Sequence, residues 1–214
     1  MFIELVDSLR CIRPHEITWL VASADTMRRR DIVRGILGCP VCRAEYPIVN
    51  GVARFGDSGP DIPAAVGPPP SDDATLRIAA LLDVSLPGGF VTLTGSWARF
   101  ARPLSVLAEG VHVLALNPDS GLDSGEGVSV ATAADEVPLR PNVCRGIVVD
   151  SRHSGLAWLA SAAAALLPGG RLVAPVGVPG PGGLRELARD DRLWVATKEP
   201  EPTPVRFHLA RRSP

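Results

Sequence analysis

Four residues near the start of the chain have the types and spacing of a metal centre. Cys39-Pro-Val-Cys42 falls between two β-rich runs, where a tight turn can present two thiolates to one ion, and Cys11 and His15, spaced C-x3-H, supply a second pair. Structural zinc takes four such ligands in a tetrahedron, commonly as two close pairs. The 23 residues between His15 and Cys39 suit an out-and-back hairpin that returns the chain to the same point. With four protein ligands the shell is closed, so the expected ion is structural. A segment of about 55 residues has a small core and gains much from such a staple. Two other readings stay open. Cys39 and Cys42 could be a redox pair, although a thioredoxin-like pair opens a helix and here a hairpin pattern follows. Alternatively, His15 is a plain loop residue and water or Glu16 is the fourth ligand.

The elements that would hold these ligands are short. Ile3, Leu5, Val6 and Leu9 share a helical face, and Pro14 disfavours continuation beyond Cys11. Residues 17–22 and 32–37 read as one hairpin, with Arg28, Arg29 and Arg30 in its connection. Residues 45–49 and 52–55, joined by Asn50-Gly51, read as a second. Residues 56–71, rich in Gly and Pro, have the composition of a linker. The expected domains are therefore 1–55, a mostly β module, and 72–214, beyond the linker.

After the linker the pattern alternates. Helices are expected over 74–84, 98–108 and 156–167, and strands over 90–94, 111–116, 128–132, 146–149 and 171–176. Strands apolar throughout and alternating with helices belong in a parallel α/β sheet covered on both faces. A short helix is expected next, and then residues 193–197 and 205–210 as strands with no room for a crossover helix between them, hence an antiparallel terminal pair.

Two resemblances follow from these motifs. The stretch Gly38-Cys-Pro-Val-Cys-Arg-Ala-Glu-Tyr-Pro-Ile-Val-Asn-Gly-Val52, with the run from Leu5 to Cys11, resembles the small bacterial zinc-ribbon proteins related to the zinc-binding subunit that activates several methyltransferases. His15 departs from that family, which commonly has a second cysteine pair. Leu86-Pro-Gly-Gly-Phe-Val-Thr-Leu-Thr-Gly95, Gly146-Ile-Val-Val-Asp150 and Leu167-Pro-Gly-Gly-Arg-Leu-Val, in that order, resemble the Rossmann-like class I methyltransferases, which bind S-adenosylmethionine. That resemblance implies a cofactor turn at Gly95 and Ser96, a ribose contact at Asn117 or Asp119, and an adenine contact at Asp135. Three positions depart from the family: the turn keeps one glycine and carries Trp97, Asn117 stands where the family has an acid, and Ala133 stands where it has another. Asp150 and His153, at the mouth of the expected sheet, are the candidate base and substrate anchor.

The expected function is methyl transfer from S-adenosylmethionine to a small-molecule or macromolecular acceptor. The alternative is a non-catalytic adaptor or activating subunit that binds a protein partner through the zinc ribbon. A net charge of −1 gives no whole-chain field for nucleic acid or an anionic membrane, which leaves the three arginines as the one local candidate for a phosphate contact. The longest apolar run, residues 156–167, is too short to span a bilayer, and the first ten residues lack the pattern of a secretory signal, so a cytoplasmic location is expected.

Overall fold

The computed structural model describes residues 1–56, 70–119 and 121–200. A 3₁₀ helix, Ile3–Ser8, leads into two hairpins: β1 (Val21–Arg28) with β2 (Asp31–Gly38), and β3 (Glu45–Val49) with β4 (Val52–Phe55). Asn50 and Gly51, with φ of 52° and 78°, supply the left-handed pair that a two-residue hairpin turn demands. Then come α1 (Asp72–Leu82), β5 (Phe90–Thr94), a 3₁₀ turn (Gly95–Phe100) running into α2 (Ala101–Leu107), β6 (His112–Leu116) and β7 (Val128–Ala133). The rest is β8 (Cys144–Val148), a 3₁₀ turn (Ser151–His153), α3 (Leu156–Ala165), β9 (Leu166–Pro175), β10 (Leu184–Arg189) and β11 (Leu193–Lys198). Ser71 starts α1 as its N-cap, accepting a hydrogen bond from Ala74 N, and Asp72 and Asp73 favour the positive end of the helix.

The eleven strands among the described residues lie in one sheet, in the order β1-β2-β3-β4-β7-β6-β5-β8-β9-β11-β10. The six from β4 to β9 run parallel to their neighbours, and antiparallel strands extend the sheet at both ends. Every residue of β6 and β7 is buried, as covered parallel strands require. Chain order reverses at β5, which has β6 on one side and β8 on the other, so the switch point where sheets of this kind can form a ligand crevice lies beyond the carboxyl ends of β5 and β8.

One face of the sheet packs under α1 and α2, where Ile78, Leu82 and Leu104 meet Val91, Val113 and Val130. The other face lies under α3 and the N-terminal 3₁₀ helix. There Met1, Leu5 and Leu9 join the cluster of Leu114, Leu116, Trp158 and Leu172. The described residues between β6 and β7 form no helix, and the N-terminal segment lies in the cluster that covers those strands.

Several expectations change. β4 pairs in parallel with β7, from Val52 on Val130 to Phe55 on Ala133, so the segments on either side of the expected linker share a sheet and an apolar cluster. The N-terminal segment adds cross-links: Arg10 N donates to Pro138 O at 3.1 Å, and the Arg10 guanidinium meets Glu136 at 2.8 Å. The first hairpin is shifted along the chain, with its turn at Arg29 and Arg30. Between the strands at 171–176 and 193–197, where a short helix was expected, residues 184–189 form β10, antiparallel to β11, and β11 is antiparallel to β9. The expected strand at 205–210 lies outside the described residues, as do 57–69 of the linker.

Candidate functional site

Two sites stand out, and the first is the cysteine–histidine cluster. The connection from β2 to β3 closes a knuckle: Cys39 N donates to Ala44 O, Arg43 N donates to Cys39 O, and Arg43 sits at φ 59°. This presents Cys39 and Cys42 to Cys11 and His15, and the four ligand atoms all lie within 4.8 Å of one another. Cys11 Sγ is 3.6 Å from Cys42 Sγ, and Cys39 Sγ is 3.4 Å from His15 Nε2. A tetrahedral ion bound at about 2.0–2.3 Å sets its ligands at such separations, so the donor set fits a metal.

Second contacts orient the ligands. His15 Nδ1 lies 2.6 Å from Glu16 O, which as an acceptor assigns the proton to Nδ1 and leaves Nε2 to coordinate. The Tyr46 hydroxyl lies 3.1 Å from Cys11 Sγ and accepts a hydrogen bond from Ile12 N. Burial opposes ionisation of Cys39, but the N–H groups of Cys42 and Val41, with the neighbouring thiols, outweigh it and bring that thiol down to about 7. Burial dominates at Cys11 and raises its pKa, and it likewise raises that of Tyr46. Tyr46 was not a candidate from spacing, although it lies in the hairpin motif quoted above.

The second site is the crevice beyond β5, β6 and β8. Gly95 opens the turn after β5 at φ 52°, a conformation that suits glycine. A Cβ there would fall within the Asp150 carboxylate, 2.6 Å from its Cγ. Asp150, at 6% exposure, takes three hydrogen bonds around this turn: its Oδ2 accepts from Ser96 N at 3.2 Å, its Oδ1 accepts from His153 N at 3.1 Å, and its own N donates to Thr94 Oγ1 at 3.1 Å. Burial works against its charge, but the hydrogen bonds from His153 and Ser96 and the His153 ring outweigh that and lower its pKa.

Asn117 closes the other side of the crevice. At φ 51° it ends β6 in the left-handed region that asparagine tolerates. Its Oδ1 accepts from Ala133 N at 2.8 Å and its Nδ2 donates to Ala133 O at 2.7 Å, so the side chain extends the β6–β7 ladder by one rung. This fixes the orientation of the amide, and its Nδ2 donates to His153 Nε2 at 2.9 Å. His153 Nε2 is therefore the acceptor, and its Nδ1 donates to Asp150 Oδ1 at 2.5 Å. Trp158 seals the ring edge-on at 4.6 Å and anchors itself through Nε1 to Ala134 O.

The expected cofactor residues Ser96 and Asn117 and the expected catalytic residues Asp150 and His153 thus meet in one hydrogen-bonded set, packed around Gly95. Asp119 and Asp135 do not join it. Asp119 pairs with Arg152 through both oxygens, at 2.8 and 3.3 Å. Asp135 lines a separate cavity of about 300 Å³ with Arg13, Tyr46 and Glu45, on the side of the cysteine cluster. Trp97 does not block the turn: it leans on Phe100, ring centroids 5.8 Å apart, and packs against the apolar cluster of α2. Thr94 and Trp158 support the set without any signal in the sequence as ligand residues. The Ser96 N–H and both ends of the Asn117 amide are committed to protein partners. As placed, these residues do not fit S-adenosylmethionine, whose carboxylate and ribose need such groups.

No family model and no curated protein matches the chain. Solved structures do, among them several described as methyltransferases and one described as a [4+2]-cyclase. A protein of Anabaena variabilis described as a methyltransferase from an antibiotic biosynthesis pathway aligns at 16% identity, covering 50% of this chain and 45% of its own, with a TM-score of 0.39. The antibiotic-resistance methyltransferase Kmr aligns at 10% identity over 65% of this chain and 98% of its own, with a TM-score of 0.41. The phosphoethanolamine N-methyltransferase 2 of Haemonchus contortus, solved with S-adenosyl-L-methionine, aligns at 15% identity over 57% of this chain and 31% of its own, with a TM-score of 0.39. This chain therefore spans less than half the length of the first and third. No helix among the described residues is long and apolar enough to cross a membrane.

Proposed function

We propose that this chain is a Rossmann-like, methyltransferase-like protein stapled by structural zinc, that its own side chains close the cofactor crevice, and that it works by binding a protein partner instead of by methyl transfer. The observation that carries this reading is the Asp150 carboxylate, which lies on Gly95 and holds the Ser96 N–H. The turn that would receive the methionine end of S-adenosylmethionine is filled from within. Asn117 is likewise spent on Ala133 and His153.

Zinc is the ion favoured by three thiolates and one imidazole in a closed tetrahedral set. Cys11, His15, Cys39 and Cys42 would hold it, with Tyr46 and Glu16 O orienting the ligands. When bound, the ion keeps the thiols deprotonated and supplies folding free energy, with no coordination position left for chemistry.

A divergent methyltransferase is the second reading. It is favoured by the position of Asp150 and His153, which stand as a hydrogen-bonded carboxylate–imidazole pair at the carboxyl end of β8, where ligands of such sheets bind. In that reading Asp150 leaves the turn to admit the cofactor and His153 serves as the base. Calorimetric titration of the zinc-loaded protein with S-adenosylmethionine and S-adenosylhomocysteine decides between the two. No heat of binding at millimolar ligand is expected. Micromolar binding, worth about −8 kcal/mol and weakened by Gly95→Trp and Asn117→Ala, overturns the proposal.

A further inference from the structure

We propose that the outer edge of β1 is the interface through which two copies of this chain associate, strand against strand, about a two-fold axis at Ser23. This inference does not depend on the function proposed above.

β1 ends the sheet and pairs only with β2 among the described residues. Seven of its eight residues are exposed. Long exposed edges are commonly protected by bulges and charges. Here that protection covers only half of the strand. The register slips between Ala24 and Thr26 and again between Thr26 and Met27, and Asp25 and Arg28 lie in the same half. The other half pairs regularly with β2, Val21 on Gly38 through Ala24 on Gly35, and carries no charge.

That uncharged half continues an apolar stripe. Ile17, Trp19 and Val21 follow at alternate positions and are 60%, 59% and 56% exposed, whereas the intervening Leu20 is buried. Beside Trp19 and Val21 runs a groove of about 380 Å³, bounded on its far side by Ile3 and Asp7. An exposed aromatic in an apolar stripe next to an open strand edge has the composition of an interface core.

The backbone sets the register. A Cβ on Gly35 would collide with the carbonyl oxygen of Ser23, so Ser23 faces β2 and its neighbours Ala22 and Ala24 turn their N–H and C=O outward. Two antiparallel copies satisfy those groups when Ala22 of each bonds with Ala24 of the other, which places the axis at Ser23. The charges favour a second copy as the occupant. One end of the strand carries the exposed acids Asp7 and Glu16, and the other carries the exposed Arg28 and Arg29. An antiparallel copy brings each arginine end to the other's acidic end and brings Trp19 toward the partner's Met27, itself 44% exposed. The same patch is used twice, as two-fold association requires.

Sedimentation velocity of the zinc-loaded full chain tests this. A species of twice 22.5 kDa is expected at tens of micromolar protein, dissociating on dilution. Trp19→Lys, at an exposed position, should give the monomer while keeping its zinc content and, at dilutions where the parent is also monomeric, the same melting temperature. With oxidised glutathione added as the two-electron oxidant, Ser23→Cys should link two copies by a disulfide, because opposed residues of a non-hydrogen-bonded antiparallel pair hold their Cα atoms about 4.5 Å apart. A monomer at every concentration, a dimer that Trp19→Lys leaves intact, or a Ser23→Cys protein that does not cross-link each overturns the proposal; a peptide-binding edge would give the first of these.

Discussion

An acid at the end of β6 would be the natural partner of a ribose, and Asn117 shows what this chain does with the position instead. Its amide presents an acceptor to Ala133 N and donors to Ala133 O and His153 Nε2, a combination that no carboxylate can supply. Asn117→Asp, the change that restores an acid, should therefore destabilise the protein by about 2–3 kcal/mol at neutral pH, because an acceptor then faces two acceptors in a buried place. Urea denaturation of both proteins at neutral pH measures it, and equal stabilities contradict the assigned hydrogen bonding. The sequence shows the substitution but not its purpose, because the Ala133 backbone comes opposite only through sheet pairing. The cysteine cluster was far more legible. Two-residue and three-residue spacings bring ligands together by local geometry, and a single hairpin brings the two pairs into range. The Asp150–His153 pair was legible as a place at the mouth of the sheet, whereas its closure onto Gly95 depends on contacts 54 or more residues apart in sequence.

Among the elements, the N-terminal segment is held down at a point that responds to pH. His112, at the start of β6, stacks on Phe2 with centroids 4.4 Å apart and meets Phe90 edge-on at 5.9 Å. Its Nε2 lies 2.9 Å from Ser129 Oγ, which also accepts from Phe2 N. Burial, aided by the nearby N-terminal amine, pushes the imidazole down to about 4 from an ordinary value of 6.5. The unfolded chain therefore takes up the proton first as pH falls. Stability on this account is complete above pH 6.5, declines between 6.5 and about 4, and is level below that, with a total loss of about 3 kcal/mol. His112→Phe keeps the stacking and removes the titration, so its stability should fall less steeply over that window; identical slopes in the two proteins would refute the assignment. Most strands were readable from apolar runs, since buried parallel strands leave little else possible. The exceptions have physical causes. β1 is exposed on both faces and so shows no alternation to read, and the helix-favouring Leu-Arg-Glu-Leu-Ala-Arg of β10 is drawn into extended form by pairing with β11.

At the scale of the molecule, the metal staple and the α/β core belong to one structure. Sequence composition marks a Pro- and Gly-rich break at 56–71 and so suggests two bodies, because a linker is a local signal and a pairing partner is not. The pairing of β4 with β7, the contacts of Arg10 with the β7–β8 connection and the shared apolar cluster tie the hairpins to the parallel sheet. An ion held by Cys11 and Cys39 would also fix the N-terminal strap that covers β6 and β7. Stripping the metal should therefore lower the stability of the whole chain and not simply unfold its first 55 residues. Calorimetric scans with and without a chelator at pH 7 should each show one transition, displaced downward by ten degrees or more, on the order of 3 kcal/mol for a domain of this size, with calorimetric and van't Hoff enthalpies in agreement. Two transitions, with the larger unmoved by chelation, would mean that β4–β7 pairing does not carry the coupling. The result also bears on the proposed partner. If the hairpins and the parallel sheet melt as one unit, the edge that β4 gives to β7 is not available to another protein, which leaves the β1 edge, assigned above to a second copy, as the outer edge of the hairpins that carry the cysteine cluster.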